Sequence, residues 1–519
     1  MEKISESKPW IKIFSPDLSP PSLGNNTADA DRLIKGLKKE IQNEYIKIDF
    51  SLVRSIPHVL RKNNYSVNVI LFEDQNVWHL IDIFPSEYKK GFFGIAVDLG
   101  SSMVVVRLID LVGKKSIDEI SFHNPQIKIG PDILTRIHFA AQEGGLEKLQ
   151  QIVVEKLNST IDQLAKKHVI DTRSIVGMTV AGNTTMTHLF MGLDPYNICR
   201  EPYIPVINKL APVKSKELGI SINSEAPVLL FPNVGSYFGG DLIAGILASG
   251  MMNQRETTFL VDVGTNAEVV IGNQDWLMAC AGAAGPALEG GVATMGMIAG
   301  PGVISSVEIN PHTSEFKITA IGGYPPIGIC GSGLIDIVAQ LFLSGMIDIR
   351  GRYVKDKCGT RLMEIDGIKH LTVVPSKDSG TDQALTLSQP DITGLMRSKA
   401  AMYTILTTIS NTVNIPMKEI SRFYIAGTFG SYINPRSAIT IGMIPDLPVE
   451  TYVSLGNTSL EGASMTLLSA QAKDEIFHIR DMITYLELNV NQEFMNLFSA
   501  AKFLPHTDIS LFPSVKVWS

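Results

Sequence analysis

The sequence has few cysteines, and this excludes several kinds of site. Only four of the 519 residues are cysteines, and no two of them stand in a C-x-x-C spacing: Cys199, Cys280, Cys330 and Cys358. A zinc site or an iron–sulfur cluster built on a local cysteine motif is therefore not predicted. So few thiols fit a protein of the reducing cytoplasm, which is the location we expect.

The sequence also lacks a positive net charge, a long uninterrupted apolar run and a phosphate-loop motif. The net charge of −7 and the pI of about 5.9 argue against binding to nucleic acid or to an anionic membrane. The least polar long stretch, residues 276–306, contains seven glycines and two prolines and would make a poor membrane helix. The charged N-terminus has no apolar core, so no signal peptide is expected. No G-K-[ST] sequence occurs, which excludes a Walker A loop.

One stretch, residues 258–272, has the pattern of a strand, a tight turn and a second strand. Asp262 ends the first apolar run, and Gly264, Thr265 and Asn266 follow it. Such a turn presents N–H groups and a hydroxyl with little side-chain bulk, which suits a phosphate. The adjacent carboxylate suits a hydrated Mg²⁺ ion. A plain hairpin turn fits the same residues.

The same design occurs earlier in the chain. Asp98 ends an apolar run, Gly100 and Ser101 follow it, and Val104 to Val106 begin a second run. The two aspartates, Asp98 and Asp262, are 164 positions apart (262 − 98). A repeated unit of this kind predicts two half-domains that face one ligand from opposite sides.

Three further places could contribute to a site, and each also has a purely structural interpretation. Asn183 and Thr184 follow the strand predicted at residues 175–180, where α/β proteins collect ligand contacts, but they could simply cap a helix. Asp241 follows a glycine pair and opens an apolar helix, so it could orient a water or a hydroxyl or serve as a cap. Glycine-rich turns at Gly285 and Gly331 could approach a nucleotide closely.

A last turn of interest begins at Gly427, after a strand at residues 422–426. It continues through Thr428, Phe429 and Gly430. The two glycines allow close approach to a flat ring or a ribose, and Phe429 could pack beside it.

Taken together, these motifs resemble the ATP-dependent reductive activators of corrinoid proteins. That family lies in the acetate and sugar kinase / heat-shock chaperone / actin superfamily, whose phosphate-1, phosphate-2 and adenosine motifs match the three turns. The segments that carry the resemblance are residues 94–100, 124–126, 181–186, 262–268, 284–289, 328–333 and 426–430.

The resemblance implies an α/β fold with two actin-like (ribonuclease H-like) lobes around a nucleotide cleft, preceded by a small α+β domain. The segment before residue 90 is similar to the family's middle, dimer-forming region, so a homodimer is possible. In chain order we expect a flexible lead-in (1–30), the small α+β domain (31–90), a first lobe (91–230), a second lobe (231–457) and C-terminal helices that pack back on the first lobe (458–519).

The resemblance also implies an activity. Family members bind and hydrolyse ATP with Mg²⁺ to drive an electron onto a Co(II) corrinoid protein, which restores Co(I) in a methyltransferase system. Iron–sulfur cysteine clusters that relatives carry are missing from this sequence, so no such cluster is expected here. The expected partners are a corrinoid protein and a separate ferredoxin-like electron donor.

The family's site residues carry over to matching positions. Asp98 and Asp262 would hold Mg²⁺, mostly through water, and Glu268 or Asp241 would orient the attacking water. The other expected nucleotide contacts are Gly100, Ser101, Ser102, Asn183, Thr184, Gly264, Thr265, Asn266, Gly285, Gly331, Gly427, Thr428, Phe429 and Gly430.

Two departures and two alternatives accompany this assignment. Ser101 and Ser102 replace the usual threonine pair but keep the hydroxyls, and Ala267 replaces a glycine, which would be strained if its φ were positive. One alternative is a small-molecule kinase of the same fold, with Asp241 as base. The other is a nucleotide-dependent scaffold or sensor without electron transfer.

Overall fold

The computed structural model describes residues 8–41, 45–236, 238–264, 266–283, 293–310, 312–430, 433–488 and 492–516. It contains two compact units. One comprises Met1–Ala248 and Thr458–Asp481, and the other comprises Ser249–Asn457 and Met482–Ser519. The boundary at the first lobe therefore lies near residue 248 rather than at residue 230. None of the helices in the described residues is long and apolar enough to cross a membrane.

The first unit begins with a small sheet in the order β1-β3-β4-β2. Alternating apolar residues bury one face of its long strands against the helices, because side chains on a strand point to opposite faces in turn. The elements are β1 (Ile11–Phe14), α1 (Asp29–Ile41), β2 (Ile46–Lys47), α2 (Phe50–Val53), α3 (Ile56–Lys62), β3 (Val67–Asp74) and β4 (Val77–Pro85).

Strand β1 lies where the sequence predicts a flexible lead-in. It pairs with β3, with Ile11 opposite Phe72, and Trp10 beside it is 1% exposed. The Trp10 indole Nε1 donates to the Thr466 carbonyl at 2.9 Å. A short apolar strand therefore lies within the mostly polar residues 1–30, and its partners lie far along the chain.

The first lobe is built on a sheet in the order β7-β6-β5-β8-β10-β9. Strands β5 and β6 are antiparallel, whereas β5 and β8 are parallel. The elements are β5 (Phe93–Leu99), β6 (Met103–Asp110), β7 (Lys115–His123), α4 (Ile133–Ala140), α5 (Gly145–Lys167), β8 (Ile175–Gly182), α6 (Thr184–Met191), β9 (Val213–Lys214), β10 (Pro227–Leu230) and α7 (Gly240–Ser249).

The second unit repeats this arrangement with a sheet in the order β21-β20-β11-β12-β13-β22. Strands β11 and β12 are antiparallel, and β11 and β20 are parallel. Its strands are β11 (Thr258–Val263), β12 (Asn266–Asn273), β13 (Trp276–Ala283), β14 (Val303–Ile309), β15 (Phe316–Ala320), β16 (Gly328–Ile329), β17 (Leu362–Ile365), β18 (Ile368–Val374), β19 (Leu385–Ser388), β20 (Arg422–Ala426), β21 (Tyr452–Gly456) and β22 (Ile483–Tyr485). The predicted duplication is therefore confirmed at the level of topology.

The helices of this unit pack on its sheets around one apolar core. The longest of them begins with a capping box between Ser388 and Asp391, which satisfies two backbone N–H groups at its start. The helices of the second unit are α8 (Gly331–Leu343), α9 (Lys355–Cys358), α10 (Gln389–Thr412), α11 (Gly427–Gly430), α12 (Pro435–Thr440) and α15 (Gln492–Ala500).

The chain returns to the first unit in helices α13 (Thr458–Leu468) and α14 (Ala470–Met482). Helix α13 is rich in small residues, and Gly462 lies so close to the backbone of Ala244 that a Cβ there would come within 2.3 Å of its carbonyl oxygen. Helices α13 and α14 therefore pack within the first unit. Residues 482–519, which the sequence grouped with these helices, instead belong to the second unit, where β22 pairs with β13.

Candidate functional site

Asp98 lies near the carboxyl end of β5, where the strand order reverses: β6 and β7 lie on one side of β5, and β8 lies on the other. Its Cα is paired with Val105 of β6 and with Ala181 of β8. Ligands of α/β sheets bind at such switch points. The half-buried carboxylate accepts a hydrogen bond from the Ser459 hydroxyl of α13 at 2.8 Å between Oδ1 and Oγ. The position and charge of Asp98 are those required of a ligand to a hydrated metal ion.

The turn after Asp98 has its carbonyl groups held by buried donors. Asn124 Nδ2 donates to the Gly100 carbonyl at 2.9 Å, and the Asn124 N–H donates to the Ser102 carbonyl at 2.8 Å. Arg136 Nη2 donates to the Ser101 carbonyl, also at 2.8 Å. In a trans peptide the N–H of the next residue points away from the carbonyl. The N–H groups of this turn are thus directed away from Asn124 and Arg136, as in an anion-binding nest.

Asn183 and Thr184 lie at the junction of β8 and α6. Asn183 is the N-cap of α6, and its Oδ1 accepts from the Met186 N–H at 2.9 Å. Thr184 is 1% exposed, and its hydroxyl donates to the Gly235 carbonyl at 3.1 Å. The capping interpretation therefore accounts for Asn183, and Thr184 fastens the loop that precedes α7. Their contact with a nucleotide stays a prediction.

Asp241 lies in the first turn of α7 and is only partly buried. Its Oδ1 accepts from the Leu242 N–H at 2.9 Å. The preceding Gly239 packs directly on the end of β8, since a Cβ there would lie 2.3 Å from the Asn183 Cα. Asp241 is thereby placed beside the switch point that carries Asp98, and the two carboxylates form the predicted half-site of the first unit.

The second unit holds the other predicted half-site. Asp262 of β11 is paired with Ala426 of β20 on one side and with Glu268 of β12 on the other. Directly opposed residues on antiparallel strands project from the same face, with Cβ atoms about 5 Å apart. Both carboxylates are partly exposed. Two carboxylates on one face at this spacing suit a hydrated Mg²⁺ ion, which prefers oxygen ligands and keeps several of its waters.

The replacement of glycine by Ala267 causes no strain. Ala267 lies within β12, is fully buried, and does not have a positive φ. Its Cα is opposite Val263 on one side and Gly282 on the other. The methyl group therefore occupies an ordinary core position.

The turn that was predicted to bound an adenosine begins at Gly427 directly after β20 and forms the short helix α11. Gly427 has φ of +80°, and a Cβ there would lie 2.9 Å from Asp262 Oδ1. Gly430 is buried against Ile425 of β20. Because Ala426 neighbours Asp262 as Ala181 neighbours Asp98, the Ala-Gly dipeptides of the two units occupy equivalent positions.

Several predicted contacts lie at the limit of the described residues. Thr265 and Gly285 lie outside them, as do the side chains of Asn266, Thr428 and Phe429. Gly264 is in the bend after β11, and Gly331 is the buried first residue of α8. These positions stay predictions.

The cysteines of the second unit occupy the interior, as expected for packing residues. Cys280, Cys330 and Cys358 are buried, and burial raises the pKa of the Cys280 thiol. Within the described part of the chain, no group of three or more His, Cys, Asp or Glu side chains could hold a metal ion.

Two residues of the first half-site were not predicted from the sequence. Ser459 meets Asp98 across 361 positions, and Arg136 meets Ser101 across 35. No local signal marks Ser459. For Arg136, the nearby Asn-Pro-Gln motif at residues 124–126 indicated the region, because Asn124 and Arg136 bind the same turn.

Comparison with known proteins gives a consistent result over the whole chain. Residues 256–516 match the family model described as the C-terminal domain of RACo, the ASKHA domain. Residues 93–254 match the RACo middle region, and residues 2–90 match the RACo linker region.

Individual relatives agree with these matches. The corrinoid activation enzyme RamQ of Eubacterium limosum is 29% identical over 500 residues, which cover 94% of this chain and 82% of RamQ. A Methanosarcina barkeri reductase of a Co(II) methylated amine-specific corrinoid protein is 23% identical, covering 78% of this chain and 76% of that protein. A solved reductive activator for a corrinoid, iron–sulfur protein is 38% identical with a TM-score of 0.90, covering 98% of this chain and 81% of that one.

Proposed function

The chain belongs to the RACo family, and we propose that it is an ATP-dependent enzyme that activates a corrinoid protein by promoting reduction of its cobalt from Co(II) to Co(I). The relatives named as corrinoid activation enzymes and corrinoid protein reductases support the target. The ASKHA domain supports the use of ATP.

The observation that carries the proposal is the opposed pair Asp262 and Glu268. Their register places two carboxylates on one face at the end of β11, next to the Gly427 turn. Such a pair fits a hydrated Mg²⁺ ion that accompanies the phosphates of ATP. In this proposal Asp262 is a metal ligand through water, and Glu268 orients the water that attacks the γ-phosphate.

The first-unit half-site has a complementary role. The N–H groups of the turn at residues 100–102, together with the hydroxyls of Ser101 and Ser102, donate to phosphate oxygens. In this proposal Asp98, held by Ser459, is an acidic group that binds hydrated Mg²⁺. Asp241 is the other candidate for orienting water, because its carboxylate lies in the first turn of a helix beside the same switch point.

Bound ATP·Mg²⁺ supplies the free energy, and the chain supplies placement of charge. Hydrolysis consumes one water and yields ADP and phosphate, while the corrinoid cobalt gains one electron from a separate low-potential donor. The chain's own groups bind phosphate, hold the metal's water ligands and orient the attacking water. Loss of the γ-phosphate removes a group that these residues bind, which is how a nucleotide biases a protein between two states.

The decisive experiment combines the protein with ATP, Mg²⁺, a reduced ferredoxin and a Co(II) corrinoid protein, and follows the absorption spectrum of Co(I). We expect Co(I) to accumulate with ATP and not with ADP, and not with the Asp262→Asn variant. A chemical low-potential reductant in place of ferredoxin tests whether the donor matters.

Absence of any ATP-dependent Co(I) signal with either donor would contradict the activator proposal. Appearance of a phosphorylated small molecule, with turnover that depends on it, would identify a kinase instead. ATP binding without hydrolysis or reduction would indicate a scaffold or sensor.

A further inference from the structure

Arg136 of α4 has its guanidinium buried behind the first phosphate-binding turn. The residue is 0% exposed. Nε donates to the Gly130 carbonyl at 2.8 Å, and Nη2 donates to the Ser101 carbonyl at the same distance. Nη1 faces the Met186 sulfur at 3.2 Å and the Gln126 amide oxygen at 3.5 Å. All these partners are neutral.

The guanidinium has no anionic partner in the region that the structure describes. No carboxylate there lies within 4.0 Å of it. The charge of Asp132 favours protonated Arg136, but its carboxylate accepts hydrogen bonds from the Thr135 N–H at 2.8 Å and the Thr135 hydroxyl at 2.7 Å. Burial lowers the pKa of Arg136 to about 10, so the group stays protonated at neutral pH.

Arg107 of β6, in the same unit, shows the ordinary solution for a semi-buried arginine. Its guanidinium lies 3.1 Å from Glu119 and 2.8 Å from Glu461, and it also donates to Ser464. A buried cation without such partners is costly, because it has lost its water and gained no counter-charge. The cost at Arg136 is reduced when an anion binds on the other side of the turn.

The peptide geometry points to where that anion would lie. The Ser101 carbonyl faces Arg136, so the N–H of Ser102 in the same trans peptide faces the opposite way. Asn124 fixes the peptides on both sides of this one in the same manner. The guanidinium therefore orients an N–H donor outward and adds positive charge behind it.

We propose that Arg136 is a positioning residue for the phosphate chain of the nucleotide. It orients the N–H groups of the Gly100–Ser102 turn and places an uncompensated positive charge behind them. This inference rests on the proposed nucleotide binding at that turn. Arg136 does not touch the ligand itself.

The test measures dissociation constants of wild type, Arg136→Met and Arg136→Lys for ATP, tripolyphosphate and adenosine by calorimetry. We expect Arg136→Met to weaken ATP and tripolyphosphate alike, on the order of tenfold, because one charge is lost at short range in a partly dry site. Adenosine binding should not change. Arg136→Lys, which keeps the charge, should recover most of the loss.

Arg107→Met is the matched control, since it removes a semi-buried arginine from the same unit without touching the turn. Its affinities should stay within about twofold of wild type, as for a substitution that makes no ligand contact. If Arg136→Met does not fold, Asn124→Ser provides the second variant. It keeps a capping hydroxyl but loses the bond to Gly100, and about a threefold loss confined to phosphate ligands is expected.

The proposal is overturned if Arg136→Met or Asn124→Ser binds tripolyphosphate as wild type does, or if adenosine binding falls by the same factor as ATP binding. Failure of the underlying function gives a different result, because wild-type protein would then bind neither ATP nor tripolyphosphate.

Discussion

The Ser459 hydroxyl donates to Asp98 Oδ1 at 2.8 Å, joining the first turn of α13 to the end of β5. Ser459 is the second residue after the chain re-enters the first unit at Thr458. It is 6% exposed, whereas Asp98 is only partly buried, so the hydroxyl fixes one carboxylate oxygen from the protein side. The contact restricts the rotamer of the predicted metal ligand.

Replacing Ser459 by alanine should therefore weaken the Mg²⁺ binding at Asp98 on which ATP hydrolysis depends, while the protein still folds. We expect the Mg²⁺ concentration for half-maximal ATPase activity to rise about three- to tenfold, the equivalent of one lost hydrogen bond of about 1 kcal/mol to a charged group. The measurement is a Mg²⁺ titration at saturating ATP.

Ser464→Ala on the same helix is the control, because its hydroxyl contacts the Leu460 carbonyl and Arg107 rather than Asp98. An equal change in both variants would show that the effect comes from the helix and not from the Asp98 contact.

Asp262→Asn should abolish ATP hydrolysis while leaving the fold intact. The amide is isosteric but neutral, so the pair with Glu268 no longer attracts a divalent cation. We expect turnover to fall by at least about a hundredfold, in the range for loss of a main electrostatic contact. Phosphate release is the assay, with circular dichroism to check folding.

Asp275→Asn provides the comparison for Asp262→Asn, since Asp275 is an exposed aspartate in the turn between β12 and β13. It should behave as wild type. Turnover by Asp262→Asn close to that of Asp275→Asn would remove Asp262 from the site.

Gly427→Ala should damage the second half-site more than its backbone strain alone predicts. At φ of +80° an alanine is strained, which costs about 1 kcal/mol. In addition, the new Cβ would lie 2.9 Å from Asp262 Oδ1 and displace that carboxylate.

The control for Gly427→Ala is Gly367→Ala, at φ of +77° with nothing within 4 Å of the new Cβ. Both variants should lose similar stability in urea denaturation, but only Gly427→Ala should lose ATPase activity. Full activity in Gly427→Ala would show that Asp262 can move without consequence.

An ion cluster that joins the small sheet domain to the first lobe should make stability depend on acid pH. Lys214 is paired with Asp49 and lies 2.8 Å from Glu225 Oε2, and Lys216 lies 2.5 Å from Oε1. Hydrogen bonds from Lys214 and Ser51 lower the pKa of Asp49. Burial raises the pKa of Glu225, but the two lysines outweigh it and the pKa lies below its usual value.

Groups with lowered pKa values stabilise the folded state above their ordinary pKa, and that contribution disappears as pH falls through the folded values. The ordinary values are 3.8 for Asp49 and 4.5 for Glu225, so the free energy of unfolding should decline below about pH 5. Glu225→Gln should flatten this decline in urea unfolding measured from pH 7 to 3. Glu87→Gln, on an exposed side chain of the same unit, should not, and identical pH profiles for both variants would contradict the prediction.

The sequence by itself determined the repeated strand–Asp–turn–strand unit and most of the regular elements around it. The strand predicted over residues 175–180 is observed at Ile175–Gly182, and the strand predicted over residues 422–426 is observed at Arg422–Ala426. These elements were readable because apolar periodicity and turn residues act over a few positions. The Asp98 and Asp262 turns are local in the same way.

Tertiary structure alone decided what those turns contact. Strand register set Glu268 opposite Asp262, and chain crossing brought Ser459 to Asp98. Packing buried the Arg136 guanidinium, and no carboxylate among the described residues lies within 4.0 Å of it. The place of residues 482–519 in the second unit was decided by the pairing of β22 with β13. Such contacts depend on the packing of segments that are distant in the chain, and the local pattern of residues carries no record of which partner a segment will meet.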